Sequence, residues 1–327
     1  MSDRRLRWGL LSTARINRSL IPALRASPRC ELVAVASRDA GRAEAYAQEW
    51  GIPQAYGSYQ ALLEDPQIDV VYISLPNSLH AEWAVRAAQA SKHVLCEKPL
   101  ATDEADVQRM IQAARRAGVV LMEAFMYRCH PQMARVRELI AAGRLGEPRL
   151  VHTTFSFHLG RTQDVRWDPR LDGGALWDVG CYTVNFCRFA LGAEPSQVFG
   201  WQRPSSSGVD EAFVGLLHFP SDALGLIEAG FVGPLRRRAE LVGTKGALIL
   251  EDPWKPGPTA MIRIRGLEGE ETIPVLAQDL YLHEVEHLAD CVLEGKEPLI
   301  PLEESLGNVR TLVALYRSAR EGRPVRL

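Results

Sequence analysis

The chain has 327 residues, of which 46% are hydrophobic and 24% are charged, and its formal net charge is -2. Chains of this length usually fold as two domains, each with its own core. A nearly neutral chain has no general electrostatic attraction to nucleic acid or to an anionic membrane surface, so neither is expected as a partner.

The sequence also lacks the marks of a membrane or secreted protein. No apolar run approaches the roughly 20 residues that a membrane-spanning helix needs, and no signal-peptide core follows the N-terminus. The cysteines are scattered without a C-x-x-C pair, at Cys30, Cys96, Cys129, Cys181, Cys187 and Cys291. We therefore expect a cytoplasmic protein with free thiols, without a disulfide framework or a zinc knuckle.

Strand and helix patterns alternate through the first part of the chain. Strands are predicted at Leu6–Ser12, Glu31–Ser37, Gln54–Tyr56, Val70–Leu75, His93–Cys96 and Val119–Phe125. Helices are predicted at Ile16–Ala26, Ala40–Trp50, Tyr59–Glu64, Leu79–Ala90 and Asp103–Ala117. Such alternation predicts an α/β domain of the Rossmann type, with a doubly wound parallel sheet, over residues 1–126.

The first strand-to-helix turn is where such a sheet places the pyrophosphate of a dinucleotide. Here the expected G-x-G-x-x-G is replaced by Ser12-x-Ala14-x-x-Asn17. Small residues at the first two positions still allow close approach of a ligand to the backbone. Five residues are therefore candidate cofactor contacts: Ser12, Thr13, Ala14, Arg15 and Ile16. The alternative is a plain turn in a flavodoxin-like domain.

The end of the second strand distinguishes NADP from NAD. An acidic residue there would bind the ribose 2′-hydroxyl of NAD, whereas this strand runs into Ser37 and Arg38. A hydroxyl and a guanidinium suit a 2′-phosphate. We therefore predict NADP(H) in preference to NAD(H), and we assign the following Asp39 to capping the next helix.

Two further strand ends should reach the same edge of the sheet. The fourth strand ends in Leu75, and Asn77 and His80 come after it. All three are candidate cofactor contacts, although Asn77 could cap the next helix and His80 could lie on its surface. The fifth strand ends at Glu97 and Lys98, also candidate contacts, where Pro99 stops the strand and disfavours helix. An ammonium held there suggests a polar ligand, and the alternative is a loop lysine paired with Glu97.

The second part of the chain has mostly strands. A helix is predicted at Gln132–Ala142, followed by strands at Arg149–Phe157, Gln197–Gln202, Ala212–Phe219, Ala223–Phe231, Arg236–Val242, Ala247–Leu250, Met261–Arg265 and Thr272–Val275. This pattern predicts an α+β domain over residues 127–327, with a large, mostly antiparallel, open-faced sheet.

One stretch between these strands carries a candidate reactive pair. Asp178 and Tyr182 are four residues apart, so a helix would bring a carboxylate and a phenol to one face. Gly180 between them is a poor helix former and suggests close approach by a cofactor or another backbone. The alternative is an Asp–Tyr hydrogen bond that anchors the helix. Further candidates for a substrate pocket are Arg128, His130, His158 and Trp167, each of which could equally be a packing or surface residue.

A second stretch matches the H-E-x-x-H pattern of zinc proteases, with His283, Glu284 and His287. No third ligand follows at the usual spacing, and the stretch also reads as an amphipathic helix over Leu280–Leu293. We therefore predict no metal site and keep a zinc hydrolase as a hypothesis to test. The tail predicts a last helix at Glu303–Arg320.

Taken together, the first turn, Ile73–His80, Glu97-Lys98-Pro99 and Asp178-x-Gly180-x-Tyr182 resemble the Gfo/Idh/MocA family of NAD(P)-dependent oxidoreductases. The resemblance covers essentially the whole chain and is greatest to the aldose (xylose or glucose) 1-dehydrogenase and trans-dihydrodiol dehydrogenase branch. It implies that Lys98, Asp178 and Tyr182 act together at the substrate. It also implies self-association through the second sheet, as a homodimer or a higher homo-oligomer.

The resulting functional prediction is an NADP(H)-dependent oxidoreductase acting on a small sugar or polyol, with oxidation of an aldose at C1 to a lactone as the leading reaction. A trans-dihydrodiol dehydrogenase and a keto-sugar reductase are the alternatives of the same class. An alternative of another class is a regulatory protein that binds NADPH without catalysis.

Overall fold

The computed structural model describes residues 4–267 and 269–327. Its first six strands are β1 (Leu6–Leu11), β2 (Cys30–Ala36), β3 (Gln54–Tyr56), β4 (Val70–Ile73), β5 (His93–Glu97) and β6 (Leu121–Ala124). The helices here are α1 (Asn17–Ala26), α2 (Ala40–Trp50), α3 (Tyr59–Glu64), α4 (His80–Gln89), α5 (Glu104–Ala117) and α6 (Met126–Cys129). All pairings are parallel, in the order β3-β2-β1-β4-β5-β6. This order is that of dinucleotide-binding sheets, and it confirms the predicted doubly wound domain.

The later strands form a second sheet. They are β7 (Pro148–His158), β8 (Gln197–Pro204), β9 (Asp210–His218), β10 (Leu224–Gly230), β11 (Val232–Gly243), β12 (Gly246–Leu250), β13 (Thr259–Gly266), β14 (Gly269–Leu276) and β15 (Val325–Arg326). The helices are α7 (Pro131–Ala141), α8 (Cys181–Leu191), α9 (Leu280–Glu294) and α10 (Leu302–Glu321).

The order in this sheet is β14-β13-β12-β11-β7-β10-β9-β8-β15. Strand β10 runs parallel to β7, and the other pairings are antiparallel. The predicted mostly antiparallel α+β sheet is therefore confirmed.

Strand alternation places a group of exposed apolar side chains on one face of this sheet. Helix α8 packs against β7 and β10. Along β9, Phe213 and Leu217 are buried while Val214 and Leu216 are exposed. The strand register places exposed apolar side chains together on one face, which we call the outer apolar face: Leu150, Trp201, Val214, Leu216 and Leu224.

Contacts divide the chain into two compact units. The first runs to Cys129 and includes Gln278–Ser305, and the second comprises His130–Ala277 and Leu306–Leu327. The sequence prediction divided the chain once, between 126 and 127. The structure differs because α9 returns to the first unit, where it packs against α1 and α6.

Two further observations bear on the sequence predictions. None of the helices in the described ranges is both long and apolar enough to cross a bilayer. The six cysteines are free thiols.

Candidate active site

The first turn is built around a serine in a backbone conformation that favours glycine. Ser12 has φ = +125°, where a side chain is strained. Its Oγ lies 2.9 Å from the Oγ of Ser74 and accepts a hydrogen bond from the backbone N–H of Ala14 at 3.1 Å. Its carbonyl oxygen accepts from Nδ2 of Asn17 at 2.8 Å, and Ser74 donates to Oδ1 of Asn17 at 2.8 Å. This network stabilises a turn that the fingerprint usually forms with glycine.

The turn leads directly into α1, where an anion could bind. Thr13, Ala14 and Ile16 are half-buried, and Arg15 is exposed. No side chain caps the N-terminus of α1. The N–H groups of the first turn donate to backbone carbonyl oxygens, and the positive end of the helix dipole next to a tight turn still favours a phosphate group.

The end of β2 presents the predicted basic group. The Asp39 carboxylate accepts from the backbone N–H of Arg42 at 2.8 Å, so the predicted capping of α2 is confirmed. Arg38 is exposed. Burial raises the pKa of Tyr59, and this is opposed by Arg38, which hydrogen-bonds the hydroxyl, and by Arg42. The guanidinium groups of Arg38 and Arg42 therefore lie close to one hydroxyl, that of Tyr59. Arg42 was missed from the sequence, although it lies four residues after Arg38.

His80 is placed differently from the surface position considered above. It is only 1% exposed, and its Nδ1 and Nε2 lie 2.8 Å from the carbonyl oxygens of Pro99 and Leu75. Both ring nitrogens are therefore engaged within the unit, which leaves neither for a cofactor. The ring instead links the turn after β4 to the turn after β5. Asn77 begins a short 3-10 turn, Asn77–Leu79, that precedes α4.

Hydrogen-bonding contacts with two neighbouring elements stabilise the turn that carries Lys98. The Lys98–Pro99 peptide is cis. The Pro99 carbonyl contacts His80, and the backbone N–H of Leu100 donates to Oε1 of Glu123 at 2.9 Å. Glu123 lies on β6 and is buried. This residue was missed, and its only signal in the sequence is an acidic residue within an apolar strand.

Glu97, next to Lys98, belongs to a buried acidic cluster. The hydroxyl of Tyr72 donates to Oε1 of Glu97. Burial, and then the nearby Glu97, raise the pKa of Glu284 well above its usual value. Glu284 is 1% exposed, and among the described residues its Oε1 has no hydrogen-bond partner. The glutamate of the H-E-x-x-H stretch therefore lies close to Glu97, the residue before Lys98.

The two histidines of that stretch accept backbone hydrogen bonds. Nε2 of His283 accepts from the N–H of Gln278 at 3.2 Å, and Nε2 of His287 accepts from the N–H of Leu299 at 2.8 Å. Within residues 4–267 and 269–327, no three His, Cys, Asp or Glu side chains come together as a metal-binding group.

In the second unit, Asp178 lies on a π-helical turn, Leu176–Gly180, that continues into α8. The sequence predicted a plain helix here. Nε of Arg166 donates to Oδ2 of Asp178 at 2.7 Å, and another of its nitrogens donates to Asp164 at 3.1 Å. Asp178 is the largest cause of a raised pKa of Arg166. Asp178 is therefore a carboxylate that is paired within its own unit, and Arg166 is a site residue that the sequence analysis missed.

Tyr182, near the start of α8, is fixed by aromatic neighbours. Its ring centroid lies 5.5 Å from that of Phe155, in an edge-to-face arrangement, and 6.0 Å from that of Trp254. Nε1 of Trp254 donates to the Thr154 carbonyl at 3.0 Å. A phenol held by packed rings is suited to repeated proton transfer in one orientation.

Side-chain packing explains why residue 180 is a glycine. A Cβ built on it would lie 2.7 Å from Cδ1 of Leu176 and 3.3 Å from Cβ of Ala229 on β10. The close approach in the structure is therefore to side chains of the same unit, whereas the sequence suggested a cofactor or another backbone.

The remaining pocket candidates have local contacts. Arg128 is buried and forms an ion pair with Glu304. His130 caps α7, since its Nδ1 accepts from the N–H of Gln132 at 3.1 Å. These contacts give Arg128 and His130 a structural role within the fold.

Two candidates stay accessible. Trp167 is half-buried, and its Nε1 donates to the Arg161 carbonyl at 3.0 Å. Its ring packs edge-to-face against that of Phe231. His158 is exposed and is the last residue of β7. Neither has a structural role that excludes substrate contact.

The structure thus groups the predicted residues by unit. The first unit brings Ser12, Ser37, Leu75 and Lys98 to the carboxyl ends of β1, β2, β4 and β5, which is the edge where such sheets bind ligands. The second unit holds Asp178 and Tyr182 on one continuous segment.

Comparison with known proteins agrees with both units. A model described as "Oxidoreductase family, NAD-binding Rossmann fold" matches residues 6–125, and one described as "GFO/IDH/MocA C-terminal domain" matches residues 133–249. The chain is 42% identical to D-xylose 1-dehydrogenase (NADP(+)) 2 of Haloferax volcanii, over 98% of this chain and 99% of that protein. It is 35% identical to mouse (Mus musculus) trans-1,2-dihydrobenzene-1,2-diol dehydrogenase, over 92% of each chain.

A solved structure shows the same fold. The 3-ketoreductase KijD10 of Actinomadura kijaniata, crystallised with NADP and TDP-benzene, superposes with a TM-score of 0.91 at 32% identity, over 96% of this chain and 98% of that one. These matches confirm the resemblance that the motifs indicated, and the first unit is an NAD(P)-binding Rossmann domain. The chain therefore belongs to the GFO/IDH/MocA family of oxidoreductases.

Proposed function

We propose that this protein is an NADP(H)-dependent oxidoreductase that transfers a hydride between the nicotinamide and a sugar or sugar-like polyol, with oxidation of an aldose at C1 to a lactone as its leading reaction. The observation that carries the proposal is that each of the two units provides reactive side chains of the kind that hydride transfer needs. One fixes a lysine at the ligand-binding edge of a dinucleotide-type sheet, and the other fixes a carboxylate and a phenol on one segment. The relative named xylose 1-dehydrogenase supports the aldose substrate.

The residues of the first unit fit NADP(H). The uncapped N-terminus of α1 and the tight turn at Ser12 suit a pyrophosphate. The exposed guanidinium of Arg38, with Ser37 and Arg42 beside it, suits a 2′-phosphate. When bound, the cofactor accepts or supplies the hydride, so the protein contributes orientation and proton transfer.

We assign the proton chemistry to three residues acting on one substrate. Tyr182 takes the proton from the reacting hydroxyl during oxidation and returns it during reduction. The Lys98 ammonium favours the ionised phenol through its positive charge and donates a hydrogen bond to the developing alkoxide. Asp178, held by Arg166, orients Lys98 or a neighbouring sugar hydroxyl.

A trans-dihydrodiol dehydrogenase is the second candidate. The rings of Phe155 and Trp254 around Tyr182 provide apolar surface of the kind that a cyclic diol would use. The mouse relative carries that name, and the solved 3-ketoreductase suggests a keto-sugar as a further alternative. A regulatory protein that only binds NADPH would have no use for an ion-paired aspartate and a fixed phenol.

We also propose a homodimer or higher homo-oligomer formed through the outer apolar face. Trp201 is 64% exposed there, and four more apolar side chains lie on the same face. Exposed apolar side chains grouped on one face are typical of an interaction surface in soluble proteins. The prediction of a cytoplasmic location is supported by the six free cysteines, since exported proteins commonly oxidise theirs.

The test is a substrate screen with purified protein, following NADP reduction and NADPH oxidation across aldoses, inositols, cyclic diols and keto-sugars. We expect reduction of NADP with at least one aldose, and lower turnover with NAD. Turnover of a diol or a keto-sugar alone would favour the corresponding alternative. NADPH binding without turnover of any substrate would favour the regulatory protein.

A further inference from the structure

The segment that carries both Asp178 and Tyr182 begins without a cap of its own. It starts as a π-helical turn at Leu176, and the residue before it, Ala175, makes no side-chain capping hydrogen bond. Backbone N–H groups at a helix start need acceptors when they are buried. A partner from elsewhere in the unit must therefore supply one.

That partner is Asp210, the first residue of β9. Its Oδ2 accepts from the backbone N–H of Leu176 at 2.7 Å, and its Oδ1 accepts from the hydroxyl of Tyr316 on α10 at 2.6 Å. The side chain is 3% exposed. A carboxylate from a strand thus caps the segment from outside, and a tyrosine from a third element fixes the carboxylate.

The two glycines before the segment are explained by this arrangement. Gly174 has φ = +125°, and a Cβ there would lie 2.2 Å from Oδ1 of Asp210 and 2.8 Å from the Tyr316 hydroxyl. A Cβ on Gly173 would lie 2.4 Å from the carbonyl oxygen of Arg166. The chain at this point passes between the capping carboxylate and the backbone of the residue that holds Asp178, and only glycine fits.

We infer that Asp210, fixed by Tyr316, is a positioning residue that sets the orientation of Asp178 and Tyr182 by capping the start of their shared segment. The inference rests on the proposed function. Asp210 has no assigned contact with substrate or cofactor and acts through Leu176. A small displacement of a reactive group can cost turnover even when its cause lies away from the chemistry.

The charge of this cap depends on pH. Burial raises the pKa of Asp210 to about 6, opposed by hydrogen bonds from Tyr316 and from the backbone of Leu176 and Ala175. The ionisable groups recorded around it are Tyr316 and, beside Tyr316, Asp172. The cap is therefore charged above pH 6 and becomes neutral as the pH falls through 6, which weakens its hold on the Leu176 N–H.

The experiment compares Asp210→Asn and Tyr316→Phe with wild type, and uses Asp222→Asn as the control. Asp222 is an 86% exposed aspartate in the same unit. The first readout is hydrogen exchange of the 174–182 amides at pH 5 and pH 8, corrected for intrinsic rates, which needs no turnover. In wild type, protection of this segment should fall between pH 8 and pH 5. In Asp210→Asn the protection should be low at both pH values, and Asp222→Asn should behave as wild type.

The second readout is the kinetics with the best substrate of the screen. We expect kcat at pH 8 to fall roughly 10-fold in Asp210→Asn and less in Tyr316→Phe, with the Kd for NADPH unchanged. When kcat of wild type is plotted against pH, we expect a decrease as the pH falls through about 6. This decrease should be absent in Asp210→Asn. Unchanged exchange and unchanged kcat in both variants would overturn the inference. A wild type without turnover would refute the proposed function, and the exchange data would still decide whether Asp210 caps the segment.

Discussion

Arg166 donates from Nε to Oδ2 of Asp178 at 2.7 Å, and this contact holds the predicted reactive carboxylate within the second unit. The Asp178 side chain is 12% exposed, against 38% for Arg166. Solvent therefore reaches the arginine side chain of this pair more than the aspartate side chain. A carboxylate that accepts a charge-assisted hydrogen bond from a guanidinium keeps a fixed direction.

Replacing Arg166 by alanine should reduce turnover, because Asp178 loses the donor that orients it. We expect kcat/KM to fall roughly 10- to 100-fold, with NADPH binding unchanged. Arg170→Ala is the matched control, since Arg170 pairs with Asp168 rather than Asp178 and its side chain is 87% exposed. Equal kcat/KM values for the two variants would show that Asp178 does not depend on Arg166.

Replacing Arg38 by alanine should reduce the preference for NADP over NAD. A charge-assisted hydrogen bond of about 2 kcal/mol to the 2′-phosphate corresponds to a roughly 30-fold weaker Kd for NADPH. The Kd for NADH should stay the same, because NADH lacks that phosphate. Fluorescence titration with both cofactors measures the ratio, and Arg116→Ala, at an exposed site near the end of α5, is the control. Equal weakening of NADPH and NADH binding would contradict a 2′-phosphate contact.

Glu284→Gln should stabilise the protein at neutral pH. Burial and the neighbouring Glu97 raise the pKa of Glu284 well above 4.5, so the folded state binds more protons than the unfolded state at any pH between 4.5 and that raised value. In this window the wild type loses up to about 1.4 kcal/mol per pH unit as the pH rises. Glutamine, which does not titrate, removes the loss.

Urea unfolding between pH 4.5 and pH 8 measures this effect. The midpoints of Glu284→Gln and wild type should converge near pH 4.5 and separate as the pH rises, with the variant more stable. Glu44→Gln, at an exposed site on α2, should follow wild type throughout. A difference between Glu284→Gln and wild type that does not change with pH would exclude a protonated Glu284.

A charge on the outer apolar face should prevent self-association. Leu216 is 50% exposed in the middle of β9, and a buried glutamate without a partner at that position would be costly in a dimer. Leu216→Glu should therefore be a monomer by light scattering, while wild type is a dimer or larger. Leu299→Glu, at an exposed apolar residue of the first unit, should keep the wild-type mass. A monomeric wild type would contradict the proposed oligomer.

The sequence analysis predicted correctly those features of the fold whose physical cause lies within a few neighbouring residues. The alternation of strands and helices predicted the parallel sheet. The position of Asp39 predicted its capping of α2, and Pro99 marked the end of β5. In each case the decisive interaction lies within a few residues, so the sequence pattern contains it.

The missed site residues depend on tertiary contacts. Glu123 reaches Leu100 from the neighbouring strand, and Asp210 reaches Leu176 from a different element. Arg166 comes from a loop that precedes the π-helical turn of Asp178. Spacing rules for helices and turns do not contain such pairings.

The H-E-x-x-H stretch shows that a local pattern can match a metal site while the tertiary surroundings decide its role. Its spacing fits a zinc site, but the fold buries Glu284 beside Glu97 and engages both histidines with backbone N–H groups. The return of α9 to the first unit produces this environment, and no local pattern indicates that return. Zinc analysis of the purified protein tests the remaining hydrolase hypothesis, which stoichiometric zinc would support.

The most direct test of the account is turnover and NADPH binding by Lys98→Ala, with Lys245→Ala, at an exposed lysine of the second unit, as the control. We expect kcat for the best substrate to fall by roughly 100-fold or more, because the proton transfer loses its cation. The Kd for NADPH should change by only a few-fold, and Lys245→Ala should match wild type. Undiminished turnover by Lys98→Ala would contradict the central claim that Lys98 acts in the reaction.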